Sequence, residues 1–297
     1  MGKPVLVEIG SIQNTFWGVT MHKEQKKREK ALQKELRSVE KREQQMQKAF
    51  VKARQPGWKT AVGDKIPQKV YTGLESAFCK GFSLVFNQGS SLIEKSYNKE
   101  NLQNNHRIRD YAVQLKGSRK ELKAVHKGAK RSDSLNMVVT TAEGLALGAL
   151  GVGLPDIVLF ITTLLKGVYE AALNYGFDYD TPEERYMILN MMSASLITGE
   201  ERVEWDEMID GMITELPRNV SQDVLNEQIR ETASVFAMDM LILKFIQGFP
   251  VIGILGGIAN PIYYNRVLRY VQLKYRKRYL LKQISSWSSN EIKEESL

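Results

Sequence analysis

The chain has 297 residues, 43% of them hydrophobic, which excludes global disorder and allows one large domain or two. Its single cysteine, Cys79, excludes an internal disulfide and fits a reducing cytoplasm. The net charge of +8 matters less than its segregation. Residues 22–54 hold twelve Lys/Arg against five Glu, residues 116–131 hold seven against one, and residues 265–283 hold seven and no acid. Between these blocks, residues 177–233 hold fourteen acids against four Arg.

Residues 1–19 lack the basic cap and apolar core of a signal peptide, and Leu6 stands where a myristoylation motif wants Ser or Thr. The alternation of Val5, Val7 and Ile9 fits a short strand or an extended tail. Residues 20–54, without Gly or Pro, predict a basic helical arm. Leu32, Leu36, Val39, Met46 and Phe50 give it one apolar stripe that rests on the domain, with Glu43 interrupting the seam. Gln55-Pro56-Gly57 ends the arm, so residues 1–57 form a segment expected to be separable from the rest.

A helical domain follows over 65–283. From Pro67 to about Ser96, Val70, Leu74, Phe78, Phe82 and Val85 recur at helical spacing, interrupted by Gly81 and Gly89. Residues 97–117 are polar, with Ile108, Tyr111, Ala112 and Leu115 as the clear apolar face. Residues 119–131 predict a basic amphipathic helix carrying Leu122, Ala124 and Val125. Ser134 to Glu184 is the longest apolar region, two helical segments broken at Gly151-Val152-Gly153-Leu154-Pro155. Gly144 and Gly148 would let a neighbouring backbone approach the first. The second begins at Pro155, carries Asp156, Lys166 and Glu170 among apolar residues, and ends near Asn174-Tyr175-Gly176. Met-rich 182–198 reads as core, 200–216 as an acidic helix, and 221–248 as a long helix. Pro250 and Gly253, Gly256 and Gly257 make a second broken apolar segment. A long basic helix then runs from Asn260-Pro261 to about Ser285, and 284–297 is a polar tail. No strand series and no repeat is present, so the fold class is all-α: a multi-helix globular domain with two Gly/Pro-broken apolar segments and the basic arm.

Two motifs resemble the EcsC family. One is the Gly-rich apolar helix followed by Leu154-Pro155-Asp156 and Tyr175 through Arg185 (YGFDYDTPEER). The other is Phe249 through Asn260 (FPVIGILGGIAN) before the basic helix. The likeness covers roughly 65 to 283. The family is named for a bacterial protein encoded beside an ABC transporter, so the resemblance implies a membrane-associated partner and no specific chemistry.

The residues themselves signal no enzyme class. His22, His106 and His126 share no metal-ligand spacing, and HExxH, GxSxG and Walker A patterns are missing, so neither metal nor cofactor is implied. Charges inside apolar segments must pair or reach water, which makes Asp156, Lys166, Glu170 and Asn260 a candidate polar pocket. Gly144 to Leu165 carries one charge in 22 residues, with a Gly/Pro break that fits a re-entrant or buried hairpin. Lys274, Arg276, Lys277 and Arg278 follow the second apolar segment and read as a membrane-facing basic patch. No nucleic-acid-binding motif accompanies these blocks. The leading expectation is a non-enzymatic accessory protein, cytoplasmic and peripheral to the inner face of the cell membrane, with an anionic surface or an ABC transporter as partner. The alternatives are a hydrolase using carboxylates near the central hairpin, or a lipid- or apolar-ligand-binding helical domain.

Overall fold

The structure is a computed structural model that describes residues 8–52, 66–86, 93–94, 97–131, 154–246 and 261–295. These residues form nine helices and no strand: α1 (Glu8–Lys52), α2 (Gln68–Leu84), α3 (Lys99–Lys116), α4 (Arg119–Arg131), α5 (Leu154–Asn174), α6 (Pro182–Leu196), α7 (Glu201–Thr214), α8 (Gln222–Ile246) and α9 (Pro261–Glu295). The all-α expectation holds.

The local signals that set helix ends are simple. Asn98 caps α3 by accepting from the Asn101 amide at 2.8 Å, and Gly117, at φ +55, closes it. Thr181 caps α6 by accepting from the Glu184 amide, with Pro182 in the first turn. Tertiary packing overrides the weaker signals. Gly81 does not interrupt α2; a Cβ there would come 2.8 Å from Ile161 Cδ1, so the glycine lets α2 lie against α5. Helix α1 begins at Glu8, where the alternating pattern suggested a strand or tail, and α9 runs on through the supposed tail to Glu295. The glycines at 144 and 148 lie outside the described residues.

Helices α5 and α9 pack on each other at the centre. Helix α2 lies on α5 and α8, and α8 also packs on α6. Phe78, Phe82, Phe160 and Phe236 join α2, α5 and α8, with ring centroids 5.5 to 6.4 Å apart. Met187, Ile188, Leu189, Met191 and Met192 of α6 are fully buried, as the core reading of that stretch requires. The α3–α4 hairpin lies across α5, and α4 also touches α1 and α9.

Helix α1 is more than an arm. Its stripe does rest on the domain, but Leu32, Leu36 and Val39 enter the main core, and Glu35 is 1% exposed. The helix ends at Lys52, and Pro56-Gly57, the expected boundary, lies outside the described residues.

Candidate functional site

The four basic residues expected to face a membrane turn inward instead. Every residue of α9 from Tyr270 to Arg276 is buried in the protein. Lys274, 1% exposed, meets Asp210 at 2.7 Å and Glu43 at 3.1 Å. Lys277 meets Asp210 at 2.7 Å and Glu43 at 2.9 Å. Arg278 pairs with Glu184 at 2.7 Å, and Arg276 pairs with Glu35, which also takes Arg119 at 2.7 Å. Burial would lower the Lys277 ammonium, but its bonds to Asp210 and Glu43 reverse the direction and hold it up. Buried cations require partners: Glu184 of α6 and Asp210 of α7 come from the acidic block, and Glu35 and Glu43 from α1. The tyrosines join the same network. Tyr275 donates to Glu184, Tyr270 to Asp206 and Tyr279 to Asp110, each at 2.7 Å.

Of the candidate polar pocket, Asn260 and the side chain of Asp156 lie outside the described residues. Lys166 is half-buried and Glu170 is buried, one turn apart on α5. A Cβ on Gly167 between them would come 2.7 Å from Tyr264 Oη, so this turn faces the start of α9. Ile157–Asn174 is, among the described residues, the stretch long and apolar enough to cross a membrane, and 83% of it is buried in the protein.

A cleft of about 600 Å³ between α1, α3 and α9 contains His106, Asp110 and Tyr279. Asp110 accepts from Tyr279 and from Gln283 at 2.8 Å, while His106 Nδ1 lies 3.0 Å from the Asn174 carbonyl. The carboxylate and imidazole are thus each held by other partners, and no Asp–His dyad forms. Among the described residues, no group of His, Cys, Asp or Glu is arranged to hold a metal ion.

Both described histidine rings are held neutral. Burial lowers His106, outweighing its bond to the Asn174 carbonyl. Burial also pushes His126 down to about 3, helped by Arg276, Lys130 and Arg42. A folded value below the ordinary 6.5 means that stability is full above pH 6.5 and declines as pH falls toward the folded value. Replacing His126 by Gln should flatten the decline between about pH 6.5 and 5, by up to about 1.4 kcal/mol per pH unit. Urea unfolding at stepped pH checks this; identical slopes in both proteins would show that His126 does not contribute. His106 should leave a residual slope in either case.

The α3–α4 hairpin carries an exposed surface of its own. Ile108, Tyr111 and Leu115, the clear apolar face of α3, point to solvent at 68%, 62% and 54% exposure. The inner face uses Val113, His106, Asp110 and Arg109 instead, with Arg109 Nη1 reaching Asn174 Oδ1 at 3.2 Å. On α4, Leu122, Val125 and Ala129 are buried, while Lys120, Lys123, Lys127 and Lys130 are exposed at one-face spacing. A Cβ on Gly128 would meet Arg109, so the two helices lie side by side, both on α5. The solvent faces of this hairpin carry an apolar stripe on α3 and a lysine ridge on α4.

The model of the EcsC protein family matches residues 30–280, most of the chain. The chain belongs to the EcsC protein family. The EcsC match begins in α1, so it takes in Leu32, Glu35, Val39 and Glu43, which the resemblance from residue 65 onward omitted. No curated protein and no solved structure matches this EcsC chain.

Proposed function

We propose that this EcsC protein is a non-enzymatic interaction protein that docks on the anionic cytoplasmic face of a membrane through the outer surface of α3 and α4. The observation that supports this reading is the Ile108–Tyr111–Leu115 stripe beside four exposed lysines. Exposed apolar residues at helical spacing beside a cationic row suit an interfacial helix, whose apolar side chains enter the headgroup boundary while cations meet anionic lipid. The tyrosine suits that boundary, having an apolar ring and a polar tip. An ABC transporter, the partner implied by the family resemblance, would then be met at the bilayer surface.

Vesicle cosedimentation of the full chain tests the reading. Binding to vesicles containing phosphatidylglycerol should exceed binding to pure phosphatidylcholine and fall as salt rises. Replacing Lys120, Lys123, Lys127 and Lys130 by Gln should weaken binding by about three orders of magnitude, at about 1 kcal/mol per lysine. Replacing Ile108, Tyr111 and Leu115 by Ser should weaken it even at low salt, with no loss of thermal stability. Equal binding by wild type and both variants would reject the surface.

A further inference from the structure

A second cleft, of about 820 Å³, lies between α1, α4 and α9. Arg42, Lys130, Arg266 and Arg269 line it together with His126, and among the described residues no carboxylate does. On the inner side of α9, by contrast, Lys274, Arg276, Lys277 and Arg278 each meet an acid. The nearest acids are already committed. Glu43, next to Arg42 in the chain, holds Lys274 and Lys277; Glu35 holds Arg119 and Arg276; Asp239 holds Arg266. Among the described residues, no carboxylate pairs with Arg42, Lys130 or Arg269. Arg276, 5% exposed, neighbours Arg42 and His126, and its Nη1 is buried without a hydrogen-bond partner. Several cations held close together without a counterion repel one another, and an entering anion relieves that repulsion. Met46, Phe50 and Leu273 provide an apolar wall, and the Arg266 guanidinium lies 4.8 Å from the Phe50 ring centroid.

We infer that this cleft binds a phosphate monoester that carries an apolar group. Guanidinium groups bind phosphate oxygens through paired, charge-assisted hydrogen bonds, and a monoester dianion matches the surplus charge better than a diester. The volume lies within the range of small-ligand sites. Lys130 belongs both to the cleft and to the lysine ridge of α4, so the mouth opens beside that ridge. The ligand could be a lipid headgroup or a soluble phosphate. The inference shares Lys130 with the proposed docking surface but not the stripe on α3, which takes no part in the cleft.

Isothermal titration of the full chain with inorganic phosphate, dihexanoyl phosphatidic acid and dihexanoyl phosphatidylglycerol tests it without vesicles. One molar equivalent of phosphatidic acid should bind, at least about tenfold tighter than the diester. Arg42→Gln combined with Arg269→Gln should weaken binding by about a hundredfold, roughly tenfold per guanidinium removed. Both side chains are exposed, so the thermal midpoint should not change. The His126 ring resonances should titrate at higher pH in the bound protein, since a bound anion favours the imidazolium. A clear preference for phosphatidic acid over inorganic phosphate is expected; inorganic phosphate binding as tightly would show that the apolar group takes no part and would overturn the inference. Failure of phosphatidic acid to bind, undiminished binding by the double variant, or equal binding of the diester would also overturn the inference. The stripe variant should bind the soluble ligands normally, which separates a failure here from a failure of membrane docking.

Discussion

Deleting residues 1–55 should abolish cooperative folding of the remainder. Leu32, Leu36 and Val39 are buried in the common core, and burying side chains of this size contributes about 1.5–3 kcal/mol each. The deletion also removes Glu35 from Arg276 and Glu43 from Lys274 and Lys277, leaving α9 with inward cations that have lost acids. Each stranded buried charge adds several kcal/mol to the loss. Set against a total stability of about 5–15 kcal/mol for a typical domain, the sum removes the folded state. The truncated protein should show no sharp thermal transition. A sharp transition with native helix content would mean that α1 only leans on a domain that folds without it.

Much of the fold was legible where chain chemistry acts locally. Asn174-Tyr175-Gly176 ends α5 and Thr181-Pro182 starts α6 because caps and fixed φ angles depend on nearest neighbours. The Met-rich α6 read correctly as core because it is apolar enough to be buried wherever it packs. Two placements that periodicity does not give share a cause. In α3 the clear apolar face lies outside, and His106 and Asp110 are inside because Asn174, Tyr279 and Gln283 satisfy them. In α9 the cations were taken as outer, yet Glu35, Glu43, Glu184 and Asp210 neutralise them inside. Polarity predicts exposure only for groups without partners, and partners far apart in sequence are invisible to periodicity. A partial signal did exist: residues 177–233 carry fourteen acids and the α9 segment seven cations and no acid, and Glu184, Asp206 and Asp210 of that block meet α9. Read as mutual neutralisation, that segregation points to α9 lying between acidic helices. Of the candidate pocket, only Lys166 and Glu170 have described side chains, and their placement on one turn of α5 follows from their spacing.

Glu35→Gln should be the most damaging single change in the ion network, at about 3–5 kcal/mol. Glu35 is 1% exposed, and its two oxygens are divided between Arg276 Nη2 and Arg119 Nε. Glutamine keeps the shape but removes the charge, and its amide nitrogen must face one guanidinium, donor against donor. Arg119, 39% exposed, can turn to water. Arg276 cannot: it is buried, its Nη1 already lacks a partner, and Arg42 adds like charge nearby. Burial lowers the Arg276 pKa, but a guanidinium stays protonated in proteins, so the charge remains in place. Arg119→Gln, which removes the exposed partner, should therefore lower stability by less than about 1 kcal/mol. Glu35→Met combined with Arg276→Met should be less destabilising than Glu35→Met alone, because no charge is then left buried. Urea unfolding of the wild type, Glu35→Met, Arg276→Met and the double variant closes the cycle, and a coupling of several kcal/mol is expected. If Glu35→Gln falls within about 1 kcal/mol of wild type and the cycle is additive, Arg276 reaches water in solution. The charged interior assigned to α9 would then be solvated at that point.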